Sequence, residues 1–381
     1  MRIVYCLPEL SHPGGIGRVT TIKANWFAEH GHDVFVVSSS QCGEPDYFVL
    51  HPSVRHIDFN IGFQAGMDNS NVVKKLFNKR GKMQKYKVLL KDFLYSVKAD
   101  IVVSTFCNDS DFLYKLKDGS KKVLEFHFSH DGYKSVIKYG HLSFVQRLVQ
   151  IYKIKKQEFI AKKYDAFVIL TKEDAAAWIG YDNIHVIPNM LTFESQKVSD
   201  CMSKRVIAVG RLDYQKKFER LIDIWGKVMD KCSDWKLDIY GNGPDKDMLN
   251  GMIASKKLGG KVEIHAPTQN IKNEYLQSSI LAMTSSYEGW GLVLTEAMNC
   301  GVPCIAYACK CGPKDIIDDG ENGYIVDEGN IDCFCDKLLS LIVDDDKRVE
   351  MGHRSKDKSA FYNVDNIMEL WQTLFSKLLK G

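Results

Sequence analysis

Two glutamates, Glu288 and Glu296, stand eight residues apart, with Gly289-Trp290-Gly291 directly after the first and Gly301-Val302-Pro303 beyond the second. Leu281 to Ser285 reads as a short apolar strand, and Leu292 to Asn299 as a helix with Leu292, Leu294, Ala297 and Met298 on its apolar stripe. Gly289 and Gly291 permit positive φ and leave the backbone bare. The amides of Trp290, Gly291, Leu292 and Val293 can therefore approach an anion at the positive end of the helix, which makes a phosphate seat. Carboxylates accept hydrogen bonds from hydroxyls, so Glu288 in the loop and Glu296 inside the helix suit two sugar-bearing parts of one elongated ligand. A lone glutamate in either place would most often face water. The rest of the chain argues against that plain reading.

The elements that must position these residues alternate strand and helix. Ile3 to Leu7 predicts a buried strand, Gly14-Gly15-Ile16-Gly17 breaks the chain, and Val19, Ile22, Trp26 and Phe27 share one face of the following helix. Val34 to Val37 continues as a second strand, completing a βαβ unit. Further strands are expected at 101–104, 123–126 and 167–170, with a helix over 144–164. A second series starts at 205–209 and runs through strands at 236–240, 262–265, 280–284, 304–307 and 323–326. The organisation is α/β, with two Rossmann-like domains facing across a cleft: residues 1–195, residues 196–363, and a terminal helix 364–381 expected to pack back on the first domain.

The 381-residue chain is 45% hydrophobic, enough for two full cores. The opening Met1 to Pro8 is too short an apolar stretch for a signal peptide, and no run approaches the roughly 18 apolar residues of a membrane span. A cytoplasmic protein is expected. Eleven scattered cysteines fit buried thiols, and Cys300, Cys304, Cys309 and Cys311 lack the paired spacing of a zinc site. Residues 1–197 hold 27 Lys and Arg against 20 Asp and Glu, so the basic excess lies in the first half. Its densest stretch, 74–91, interleaves Lys74, Lys75, Lys79, Arg80, Lys82, Lys85, Lys87 and Lys91 with apolar residues. That pattern suits either a solvated helix or contact with the inner face of a membrane, whereas the mildly basic pI of 8.1 argues against nucleic acid.

In this order, Gly14-Gly15-Ile16-Gly17-Arg18, Ile187-Pro188-Asn189, Gly210-Arg211-Leu212-Asp213-Tyr214-Gln215-Lys216, Gly241-Asn242-Gly243-Pro244, the Glu288–Glu296 pair and Gly320-Glu321-Asn322-Gly323 resemble the retaining GT-B glycosyltransferases of family 4, also called glycosyltransferase group 1. The likeness covers nearly the whole chain, departing at Lys217, often glycine in the family, and at Trp290, often phenylalanine.

The resemblance implies a nucleoside diphosphate sugar donor, most often a UDP-sugar, with no metal or other cofactor. Arg211 and Lys216 would neutralise the diphosphate, Glu296 would hold the ribose, and Glu288 with the amides from Gly289 to Leu292 would hold the sugar and β-phosphate. His127 would contact the donor sugar near its anomeric centre, and Gly15 and Gly17 would bring first-loop amides to the diphosphate. Gly210, Gly241 and Gly243 would complete the donor side, with the turn 241–244 near the base.

The acceptor would be a saccharide or lipid-linked saccharide of a capsule, O-antigen or similar surface polymer. A nicotinamide oxidoreductase is disfavoured because Thr20 stands where its fingerprint needs a third glycine, and Val37-Ser38-Ser39-Ser40 carries no ribose-binding acid. A sugar-nucleotide epimerase and a noncatalytic sugar-nucleotide binder share the architecture, and the residues leave both open.

Overall fold

The computed structural model describes residues 1–63, 72–139 and 143–381. The first domain is a seven-stranded parallel sheet of β1 (Arg2–Leu7), β2 (Asp33–Ser38), β3 (Arg55–Asp58), β4 (Ile101–Ser104), β5 (Lys121–Phe126), β6 (Ala166–Ile169) and β7 (Ile184–Val186), ordered β3-β2-β1-β4-β5-β6-β7. Its helices include α1 (Gly15–Glu29), α2 (Val72–Val97), α3 (His130–Tyr139) and α4 (Phe144–Ala161). The second sheet has β8 (Arg205–Val209), β9 (Lys236–Tyr240), β10 (Val262–His265), β11 (Ile280–Met283), β12 (Cys304–Tyr307) and β13 (Gly323–Val326), again parallel and ordered β10-β9-β8-β11-β12-β13. Around it lie α5 (Phe218–Met229) and α6 (Leu292–Asn299), and the chain ends in α7 (Val364–Lys380). This is the GT-B architecture, two doubly wound domains across a cleft.

The central strands are apolar runs because both faces are covered by helices. Ile3, Val4, Tyr5 and Cys6 of β1 and Val206, Ile207 and Ala208 of β8 are fully buried. In each sheet the strand order reverses between neighbouring strands, at β1/β4 and at β8/β11. Ligands of such sheets sit beyond the carboxyl ends of the strands at that point. The loops after β1, β5, β8, β9 and β11 carry Gly15, His127, Lys216, Gly241 and Glu288 respectively, so chain topology delivers all five to the same edge region.

Helix α7 returns to the first domain and packs on α1. Trp26 Nε1 donates to Asp365 Oδ1 at 2.7 Å, the Phe27 and Phe375 rings stack at 5.4 Å, and Lys23 Nζ lies 4.3 Å above the Trp371 ring. The chain thus crosses between domains twice, and the crossings touch, with Leu191 N donating to Tyr362 O at 2.7 Å.

In the basic stretch 74–91, Tyr86 and Leu90 are buried in the first-domain core and Met83 and Leu89 pack on it, while Lys79, Arg80, Lys85 and Lys91 face outward. Most of its described apolar side is consumed by packing, which weakens the membrane reading for this segment. The side chains of Lys74 and Lys75 lie outside the described residues. All eleven cysteines are free thiols, and the Cys300–Cys311 group is buried without pairing.

Trp371→Ala should cost about 3–5 kcal/mol, the range for truncating a buried aromatic, read as a lower urea midpoint.

Candidate active site

The wall expected to face the donor is the loop from β11 into α6. Gly291, the cap residue of α6, has φ +97°, a conformation that glycine adopts without strain. The first-turn amides of a helix have no intrahelical acceptor, so those of Leu292 and Val293 are open toward the cleft end. Gly289 is required for a different reason than the expected positive φ. A Cβ there would lie 1.9 Å from the His127 carbonyl oxygen, so the two domains meet backbone to backbone. The Trp290 side chain is buried and packs edge-on to Tyr362 at 5.3 Å, so only its backbone is available to a ligand.

Lys216 reaches this loop from the other side of the switch point. Its Nζ donates to Glu288 Oε1 at 2.6 Å, and Glu288 is buried, with its amide bonded to Lys310 O at 2.9 Å. The lysine stem runs beneath Gly210, where a Cβ would approach Lys216 Cε to 3.1 Å. Lys217, at the position where the family favours glycine, does adopt the left-handed conformation, with φ +54°. Arg211 is about two-thirds exposed, and its Nε donates to Asp213 Oδ2 at 2.5 Å.

Glu296 is buried where the domains join. Its Oε1 accepts from Thr192 Oγ1 at 2.5 Å and from Arg18 Nη1 at 3.2 Å, and its Oε2 from Tyr275 OH at 3.0 Å. Burial pushes its carboxyl pKa up, and the Thr192 hydrogen bond, the Arg18 charge and the Tyr275 hydrogen bond offset this only in part. A Cβ on Gly15 would lie 3.2 Å from Leu292 Cδ1, so the first loop sits directly over the start of α6. Gly17 instead faces its own domain, where a Cβ would lie 3.4 Å from Leu10 Cδ2.

His127 has a partner that sequence reasoning missed. Its Nε2 is 3.2 Å from Glu125 Oε1, in a geometry not aligned for a hydrogen bond. Both Glu125 oxygens accept from Lys23 Nζ, and Lys23 and Glu125 are essentially inaccessible. Burial alone would raise the Glu125 pKa, but Lys23 and His127 outweigh it and hold the carboxyl at about 2. Burial in turn pulls Lys23 down, against the pull of Glu125. A lysine at a core position of α1 and a glutamate inside an apolar strand were the available signal.

Gly241 and Gly243 buttress the site from behind. A Cβ on the first would lie 1.9 Å from Gly210 O and one on the second 2.2 Å from Leu212 O. Their lack of side chains lets the β9 turn lie against the Gly210–Leu212 loop. Among the described residues Asp238, Glu263 and His265 form one group with metal-ligand spacing. Asp238 already accepts from Arg205 and pairs with His265 Nε2 at 3.0 Å, so the group reads as an ion-pair network.

Residues 192–358 match the family model described as glycosyl transferases group 1. The amylovoran biosynthesis glycosyltransferase AmsD of Erwinia amylovora is 28% identical over 98% of this chain and 99% of its own length. The poly(ribitol-phosphate) alpha-N-acetylglucosaminyltransferase of Staphylococcus aureus is 30% identical over 64% of this chain and 52% of its own. Among solved structures, TarM superposes with a TM-score of 0.79 at 17% identity, covering 98% of both chains. Sucrose-phosphate synthase from Thermosynechococcus elongatus gives 0.81 at 18% identity, covering 100% of this chain and 99% of its own. These two likenesses speak to the fold alone.

The fold is GT-B, and residues 192–358 match the group 1 glycosyltransferases. Proteins of that group move a sugar from an activated donor to an acceptor.

Glu125→Gln strands the Lys23 charge in the core and should destabilise by roughly 3–5 kcal/mol, while the Lys23→Met/Glu125→Gln double variant should recover most of it. In the unsubstituted protein the Glu125 contribution is complete above its unfolded pKa of about 4.3 and is lost as pH falls toward about 2. Denaturant titrations across that window check both statements. For Glu296 the sign is opposite, since its raised pKa makes ionisation costly at neutral pH. Glu296→Gln should keep or raise the Tm at pH 7, with the difference narrowing as pH is lowered.

Proposed function

We propose that the protein transfers a hexosyl unit from a UDP-sugar to a hydroxyl of a saccharide or lipid-linked saccharide, with retained anomeric configuration, at the cytoplasmic face of a bacterial membrane during assembly of a surface polysaccharide. The observation that carries this reading is the Lys216–Glu288 pair at the mouth of the Gly291 turn. In the free protein each group neutralises the other. A donor offers each a better partner, the diphosphate for Lys216 and a sugar hydroxyl for Glu288. Arg211, exposed on the same wall, exchanges Asp213 for a phosphate oxygen. The support for uridine is indirect: similar-fold structures of TarM and of Anabaena HepE are described in complex with UDP.

The chemical step breaks the bond between the anomeric carbon and the β-phosphate oxygen, the electron pair leaving with the phosphate. The acceptor oxygen bonds to the same carbon on the same face, and its proton passes to the leaving phosphate oxygen. Lys216, Arg211 and the α6 amides stabilise the charge that grows on the diphosphate. A double displacement would need a carboxylate nucleophile on the β-face of the sugar, whereas Glu288 is engaged with a sugar hydroxyl. Glu125, the carboxylate next to His127, has both oxygens held by Lys23 and is shielded from the cleft. Glu296 holds the ribose hydroxyls and His127 the sugar near its anomeric centre.

Lys216→Ala should lower turnover by about 10²- to 10³-fold with little change in thermal stability, measured by nucleotide release from a panel of UDP-, GDP- and dTDP-sugars. Turnover near that of the unsubstituted protein would remove Lys216 from the mechanism. A product whose anomeric proton coupling shows inversion would rule out the same-face route. Release of an epimerised sugar nucleotide without acceptor would favour the epimerase reading.

A further inference from the structure

The first half of α4 carries large apolar side chains that the protein does not cover. Phe144 is 76% exposed, Val145 67%, Leu148 51% and Tyr152 67%, and Phe159 lies further along the same stripe. Phe144, Leu148 and Tyr152 recur every four residues, so they share one face. Ile154, on the opposite side, is buried against the domain. The helix start is firmly made, since Ser143 and Gln146 form a reciprocal capping box. This is a well-formed helix with its apolar stripe turned to solvent, the reverse of ordinary packing.

Charge surrounds the stripe. Arg147, Lys153 and Lys155 have no ion-pair partner among the described residues, and Glu158 is the one acid of the helix. That acid is occupied by His130 Nε2 at 2.9 Å. Between α3 and α4 runs an open groove of about 590 Å³, lined by Ile137, Ile151 and Ile154, by Lys134, Arg147 and Lys155, and by Glu158, the acid paired with His130. An apolar stripe flanked by unpaired cations, beside a groove lined by isoleucines and cations, fits acyl chains below and phosphate headgroups above.

We propose that α4, together with the α3–α4 groove, is a docking surface for an anionic lipid bilayer. Helix α3 begins three residues after His127, so docking there holds the acceptor mouth of the cleft at the membrane. This deepens the reading of a lipid-linked acceptor, and replaces the 74–91 stretch as the membrane-facing element.

The test is flotation of the full chain with vesicles of phosphatidylglycerol and phosphatidylethanolamine, against vesicles of phosphatidylcholine alone. The variants are Phe144→Ser/Leu148→Ser/Tyr152→Ser and Arg147→Gln/Lys153→Gln/Lys155→Gln, with a UDP-induced thermal shift and circular dichroism as folding controls. The expected result is binding to the anionic vesicles alone, weakened at least about tenfold in each variant while the folding controls match the unsubstituted protein. Equal binding to both vesicle types, or anionic binding unchanged by either variant, overturns the proposal. So does concentration-dependent self-association lost in the apolar variant with no vesicle binding. Because flotation needs no acceptor, vesicle binding together with full activity on a soluble saccharide would keep the docking surface and remove only the lipid-linked acceptor.

Discussion

The cleft depends on one close approach, that of the Gly289 backbone to the His127 carbonyl. No side chain fits between them, so the donor loop and the acceptor-side histidine are in register only when the two domains are fully together. The polar contacts nearby make sense from this constraint. Arg18 and Thr192 both reach Glu296, tying α1 and the interdomain linker to the same buried carboxylate that lies one turn inside α6. An ion pair with a desolvated partner contributes modest net stability, but it is strongly directional. These contacts set the geometry of closure more than its free energy.

Three glutamates near the cleft illustrate how surroundings assign different work to one side chain. Glu288 is neutralised by a lysine that is itself partly exposed. Glu296 is buried beyond what its partners repay, which leaves it well disposed to accept hydroxyl protons. Glu125 is fully compensated and inaccessible, and its role is to hold His127 and anchor Lys23 beneath the terminal helix. The motif alone places the first two together, and only their neighbours separate them.

The central strands were legible because parallel strands buried on both faces are written as apolar runs, and 101–104, 205–209 and 304–307 match their expected bounds. The edge strands β3 and β7 were not. Arg55-His56-Ile57-Asp58 is half exposed and polar, and 184–186 is too short to show a pattern. The helix Asp345–Ser359 was hidden by its charge, although buried Arg348 there donates to Leu341 O and Cys201 O and so binds the helix to its surroundings. At the site, the glycines were recognisable but their reasons were not, because a close approach between segments far apart in sequence leaves the same residue as a positive φ. The Lys23–Glu125–His127 chain left only the signal of two charges at core positions, and their pairing could not be read because they lie on two different elements and meet only through the fold.

The two chain crossings between the domains lie against each other, joined from Leu191 to Tyr362. Two separated tethers would act as a clamp, but adjacent ones act as an axle, leaving a single rotational freedom about their common line. Tyr362 is also the ring against which Trp290 packs, and its hydroxyl donates to Asp315 O at 3.1 Å. The axle therefore bears directly on the loop that contains Glu288 and Gly291. A rotation about that line would turn the bearing on which the loop rests, so the positions of Glu288 and Gly291 are tied to the angle between the domains.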